Sequence, residues 1–258
     1  MIVFGAIAPH GGIVLEGESP TRTAMEELGR RHAAAAPDAT IVITPHGVHL
    51  EGSFAVVTSA TVAGDLGGAD TRLSCTVDRG LAHAVVDALR EVGPAAGVSF
   101  GSNDPADAEM PMDWGTLVPL WFIGGRSSPQ APVVVVSPAR DFSFEAHVRA
   151  GAAIAAACAD RRVAVIASAD HGHAHESDGP YGFHPAAAEY DARVVELVRE
   201  NRLGDGVGLG TIVDLAKADS LWQLLMLHGT LGDSFEAHLL SYEVPTYFGM
   251  LCAAFEPR

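Results

Sequence analysis

Four nearly unbroken apolar runs set the rhythm of this 258-residue chain: IVFGAIA (2–8), TIVITP (40–45), APVVVVS (131–137) and RVAVIASA (162–169). Each is short, rich in Val, Ile or Ala, and bounded by proline, glycine or polar residues. Runs of that length without polar alternation suit strands covered on both faces, as in a parallel sheet. Between them the apolar period changes to that of a helix. SPTRTAMEELGRRHAAAA starts on Ser19, an N-cap residue type, with Pro20 at the first helical position, where no N–H is needed. TVDRGLAHAVVDALREVG (76–93) closes on Gly93, which suits a helix C-terminus. FEAHVRAGAAIAAACAD (144–160) and PAAAEYDARVVELVREN (185–201) continue the alternation. This order predicts an α/β fold with a central, largely parallel (mixed) β-sheet flanked by helices. Residues 52–68, GSFAVVTSATVAGDLGG, read as a β-hairpin excursion, and the end, LLSYEVPTYFGMLCAAF, as one or two terminal strands. With no internal repeat, low-complexity tract or long linker, residues 1–258 read as a single domain.

Composition narrows the class. At 48% hydrophobic and 19% charged residues, this is a folding globular chain rather than a disordered one. No apolar run reaches about 18 residues, so no transmembrane helix is expected. MIVFGAIAPHGG lacks the basic region of a signal peptide. Cys75, Cys158 and Cys252 are odd in number and far apart, which fits a reduced cytoplasm rather than a disulfide framework or a zinc knuckle. A formal net charge of −16 argues against nucleic acid and anionic membrane as partners, and would help to attract a divalent cation.

The 12 histidines matter by placement. In open α/β sheets, ligands bind beyond the carboxyl ends of the strands. His10 follows the first run in APHGG. His46 follows the second in TPHGVH, with His49 three residues on. His171, His173 and His175 follow the fourth in ASADHGHAHESDGPYGFH (167–184). Three strands thus each deliver an imidazole to one edge, which is what a metal centre or an acid–base site needs. His32, His83 and His147 lie on helical stretches and read as surface or packing residues. His184 marks a helix start, His228 sits in the apolar helix LWQLLMLHG, and His238 in a loop. There is no Gly-x-Ser-x-Gly, Walker A or His-Glu-x-x-His sequence to compete, and GVGLG (206–210) follows no strand.

APHGG, TPHGVH, DWGTLVPLWFI (113–123), ASADHGHAHESDGPYGFHPAAAEYD and YEVPTYFGMLCAAF occur in this order over nearly the whole chain. In this the sequence resembles the LigB-type class III extradiol ring-cleavage dioxygenases, a superfamily that also holds DOPA-dioxygenase-like and Memo proteins. The resemblance implies a non-haem Fe(II), with Zn or Mn as other candidates, held by two histidines and one carboxylate with positions left open. His10 and His46 match the family's two metal histidines. His173 matches the acid–base histidine, which in the DOPA-dioxygenase branch serves as a ligand instead. Neutral imidazole suits iron, and an imidazole with a pKa of about 6.5 can take and return a catechol proton. The implied partners are a small aromatic substrate and O2. The implied assembly is a homo-oligomer, in some members with a small partner subunit.

Two departures from the family pattern follow. The family's carboxylate ligand sits at the start of a late helix, in a Gly-Glu-Cys-Gly-like stretch. Here AKADSLWQLLMLHG puts Ala218 at the glutamate's position and Asp219 beside it. One helical residue turns a side chain by about 100°, so Asp219 either ligates from the preceding turn or serves as the N-cap of a helix over 220–229. Glu243 in YEVP is a second candidate and the set His10, His46 and His173 a third; Asp219 is preferred. Trp114 stands where many relatives carry a histidine that touches substrate or dioxygen. Indole only donates, though it can stack on an aromatic ring. His49 and His171 are then the candidates for the missing imidazole, and Trp114, His175 and Tyr181 for substrate contacts. Arg140, after VVVVSPA, is either a clamp for a substrate carboxylate or a surface ion-pair residue. The implied activity is ring cleavage of a catechol or aminophenol-type aromatic. The alternatives are a non-catalytic, Memo-like metal-binding protein and, least favoured, a zinc hydrolase.

Overall fold

The unbroken apolar runs are strands covered on both faces. The computed structural model describes residues 1–67 and 72–258. In chain order the first half comprises β1 (Ile2–Ala8), α1 (Pro20–Ala35), β2 (Ala39–Ile43), β3 (Phe54–Val57), β4 (Thr61–Asp65), β5 (Arg72–Thr76), α2 (Arg79–Arg90), β6 (Ala95–Val98) and β7 (Glu109–Pro111). The second half comprises α3 (Trp114–Phe122), β8 (Val133–Ser137), α4 (Phe144–Ala157), β9 (Val163–Ser168), α5 (Ala186–Arg199), α6 (Val213–Ala216), α7 (Leu221–Leu231), β10 (Phe235–Glu243) and β11 (Met250–Pro257).

Eight strands form a mixed sheet in the order β10-β11-β1-β9-β2-β8-β3-β6, flanked by helices. At its centre β1, β9, β2 and β8 run parallel, with Val42 opposite both Ile166 and Val135. Every residue of β2, β8 and β9 is buried, which is why these segments carry no polar alternation. The antiparallel pair β10–β11 closes one edge, and β3 joins β8 antiparallel at the other. Helix α1 starts as its sequence dictates: the Ser19 side chain accepts the Arg22 N–H, and Pro20 occupies the first turn.

Three expectations are corrected. Segment 52–68 is not a hairpin: β3 pairs with β6 and β8 in the main sheet, whereas β4 belongs to a separate three-stranded sheet with β5 and β7. Its last residue, Gly68, lies outside the described residues. The helix placed over 76–93 is shorter, because Thr76 pairs with Thr61 as the end of β5; Asp78 caps the helix and Glu91 closes it, leaving Gly93 beyond its end. His238 lies in β10 rather than a loop, opposite Ala254 of β11.

His32, on α1, is buried with its Nε2 2.9 Å from the Thr40 hydroxyl and its ring edge-on to Phe4. Burial disfavours its charged form and pushes the imidazole down to about 4. Since the folded pKa lies below the unfolded one, His32 adds stability above pH 6.5, and that contribution is lost as pH falls towards 4. Urea unfolding should show about 2 kcal/mol of stability lost between pH 7 and pH 5 from this group, and His32→Gln should flatten that part of the profile. An unchanged slope in the variant would remove His32 as the cause.

Candidate metal centre

Adjacent parallel strands β1, β9 and β2 end on the same edge of the sheet, so the residues just beyond them meet. His10 follows β1, Asp170 follows β9 and His46 follows β2. The fourth contributor, Asp219, precedes α7, which packs on β1 and β9. Its position is tied to the sheet by the Gln223 amide of α7, which donates to the Ser168 carbonyl at 3.1 Å.

Three donor atoms converge. The His10 and His46 Nε2 atoms are 3.0 Å apart, and the Asp219 Oδ2 lies 3.6 Å from the first and 3.2 Å from the second. Donors held at about 2.1 Å from one ion and at right angles to each other are separated by about 3 Å, so this triangle matches one face of an octahedral site. Among the described residues this is the one group of three or more such side chains whose donors approach so closely. The other Asp219 oxygen, Oδ1, is buried without a hydrogen-bond partner, as expected of a carboxylate built to take a cation. Two histidines and a carboxylate therefore fit a divalent metal, and leave the opposite face open.

Neighbouring groups fix these donors. Ser168 Oγ meets His10 Nδ1 at 2.9 Å, which leaves Nε2 facing the centre, and Asp170 accepts the His10 backbone N–H at 3.1 Å. Thr44 Oγ1 accepts the His46 N–H at 3.2 Å and itself donates to Asp113, the N-cap of α3. That cap places the next residue, Trp114, over the His46 ring at 4.4 Å between centroids. Burial alone would discharge the His10 imidazolium, but the Asp170 and Asp219 carboxylates reverse this and lift it to about 9. Burial would likewise raise Asp219, yet contacts from His10 and His46 hold it well below the usual carboxylate range. Without metal, a proton on His10 offsets the Asp219 charge; a bound cation takes that proton's place.

The centre forms part of a cavity of about 710 Å³. His173 lines it outside the donor triangle, stacked on Phe248 at 5.4 Å and edge-on to Tyr181 at 5.7 Å, with its buried Nδ1 unpartnered. Trp114 and Tyr181, both largely exposed, complete the aromatic mouth.

Four expected residues do not reach this cavity. His49 is exposed beyond it. His171 is fully buried and bonds Ser220 Oγ at 3.1 Å, which in turn meets the Tyr190 hydroxyl; it braces the turn carrying Asp219. Its burial disfavours the charge an acid–base group must take up. His175 is held by Asp191 at 2.9 Å, where Tyr242 also donates. Glu243 accepts the Thr21 N–H at 3.0 Å and caps α1. Sequence reasoning missed Asp170 and the Tyr247–Phe248 wall. Asp170 is the first charged residue beyond β9, a signal that was available; the aromatic pair lies in a turn that read as strand.

Fold and centre together define an α/β protein with a two-histidine, one-carboxylate candidate metal site. Residues 7–253 match the family model of the catalytic LigB subunit of aromatic ring-opening dioxygenases, and the chain belongs to that family. Protein CA_C1420 of Clostridium acetobutylicum is 24% identical over 254 residues, covering 92% of this chain and 54% of its own. The chain thus spans about half the length of that curated relative. The crystal structure of uncharacterized protein JW3007 from Escherichia coli K12 shares the fold, with a TM-score of 0.64, 17% identity, and coverage of 98% of this chain and 99% of that one.

Proposed function

We propose that the protein is an Fe(II)-dependent extradiol dioxygenase that opens the ring of a catechol or related aminophenol with O2. The observation that carries this reading is the donor triangle of His10, His46 and Asp219, exposed on one face to an aromatic-walled cavity that also holds His173. Iron in such a two-histidine, one-carboxylate setting supplies open coordination positions and the redox chemistry of O2. The chain's own part is to bind and orient the ring and to move its protons. Trp114 and Tyr181 offer flat faces to an aromatic substrate. His173 takes a hydroxyl proton from the bound diol and returns one later, and Phe248 stacked on its ring fixes its direction.

Anaerobic loading with Fe(II), followed by a panel of catechols and 2-aminophenols in air-saturated buffer, tests this. Oxygen uptake should accompany a yellow ring-opened product. His173→Gln should keep one metal per chain and slow turnover by about 100-fold or more. Loss of metal in that variant would instead make His173 a ligand.

A second reading, a metal-binding protein that cleaves no ring, draws on Trp114. Its indole packs against His46 and has no proton-accepting nitrogen. Metal binding without oxygen uptake across the whole panel would decide for it.

A further inference from the structure

An imidazole that moves protons is usually aimed by a carboxylate or carbonyl holding its other ring nitrogen. His173 lacks that support, because its Nδ1 is buried with no partner. Its direction has to come from the backbone that carries it and from Phe248, on which its ring stacks. Both lead to one side chain, Asp191 of α5.

Asp191 is 1% exposed, and donors from three parts of the chain meet its two oxygens. Oδ1 accepts the Gly172 N–H at 2.7 Å. Oδ2 accepts the Tyr242 hydroxyl of β10 at 2.9 Å and meets the His175 Nε2 at the same distance. Gly172 is the residue before His173. Gly249, the residue after Phe248, lies so close that a Cβ there would collide with the Asp191 Oδ2. A Cβ on Gly172 would come to 2.8 Å from the Ala187 Cα of the same helix. The two glycines are also joined directly. The Gly249 N–H donates to the Gly172 carbonyl at 3.0 Å, and the His171 N–H to the Gly249 carbonyl at 2.8 Å. The histidine and the ring it stacks on are therefore each one residue from a glycine that touches the same carboxylate. Asparagine could not serve all these contacts. It has one acceptor oxygen, and its NH2 would face either the Gly172 N–H or the donors on the other side.

We propose that Asp191 is the positioning residue for His173, clamping Gly172 to the Gly249 turn and so setting the angle at which the His173 ring meets the substrate. What His173 then does rests on the dioxygenase reading above; how it is held does not. His175 works through Asp191, as the donor that keeps the buried carboxylate paired.

In the Fe(II)-loaded chain, Asp191→Asn should lower kcat for catechol by about 10–100-fold, the range for groups that orient a working ligand, while KM and metal content hold. His175→Leu should reproduce part of that loss, and His175→Gln, which still donates, should recover most of it. A second readout needs no turnover. In the Zn(II)-loaded chain labelled with 15N-histidine, the His173 ring signals should shift and broaden in Asp191→Asn while those of His10 and His46 stay in place. Parent-like His173 signals overturn the clamp, as does loss of the metal, which would assign Asp191 to the centre itself. Should Asp191→Asn fail to fold, parent-like His173 signals in His175→Leu overturn it equally. Absence of ring opening in the parent, with the His173 signals still dependent on Asp191, overturns the dioxygenase reading alone.

Discussion

Asp219→Ala should bind Fe(II) or Zn(II) at least about 100-fold more weakly than the parent chain. Losing a group that merely orients a ligand already costs 10–100-fold in metal affinity, and Asp219 offers a donor atom itself. Its Oδ2 sits 3.2 Å from the His46 Nε2, its Oδ1 is buried with no partner, and it is the one carboxylate of the donor group. Competition with a chelating dye gives the affinity, and circular dichroism of the metal-free protein shows whether the variant is folded. Glu243→Ala is the control. That carboxylate caps α1, so its loss should cost about 1 kcal/mol of stability and leave metal affinity alone. If Asp219→Ala retained its metal while His173→Gln lost it, the three-histidine set would replace the one drawn here.

Gly151→Val should destabilise the fold by about 4 kcal/mol or more, the largest stability effect we expect from a single substitution. Helices α4 and α7 cross through a reciprocal glycine contact. A Cβ on Gly151 would run into the carbonyl oxygen of Met226, and one on Gly229 into that of Val148. Backbone atoms cannot swing aside as side chains do, so the helices must separate along their seam. Because α7 carries Asp219 just before its first turn, that separation reaches the metal centre. Thermal unfolding should show the loss, and metal affinity should fall with it. Gly208→Ala, where an added methyl meets nothing within 4 Å, should change neither. A parent-like melting temperature for Gly151→Val would mean the seam is looser than its geometry implies.

The sequence made the centre of this fold legible because β2, β8 and β9 are buried throughout, and β1 at all but its first residue, so they announce themselves as unbroken Val, Ile and Ala runs. His10 and His46 could be placed for the same reason: they directly follow two such runs, and strand ends in a parallel sheet share an edge. What escaped was set by contacts distant in the chain. The segment after β2 looks like a local hairpin, yet β3 and β4 separate into two sheets through pairing with β6 and β7. His171 and His175 carry the same local pattern as His173. Only Ser220 and Asp191, supplied by other elements, turn them into braces.

The three donor atoms come from chain positions that lie near its two ends and in between, and they become neighbours only after β1, β9 and β2 have assembled. An ion gripped by all three is therefore a reversible cross-link over most of the polypeptide, of a kind the unfolded ensemble cannot form at low cost. Whatever binds the native state alone also protects it by mass action. The supply of metal would then govern how long each molecule survives, as well as whether it can work.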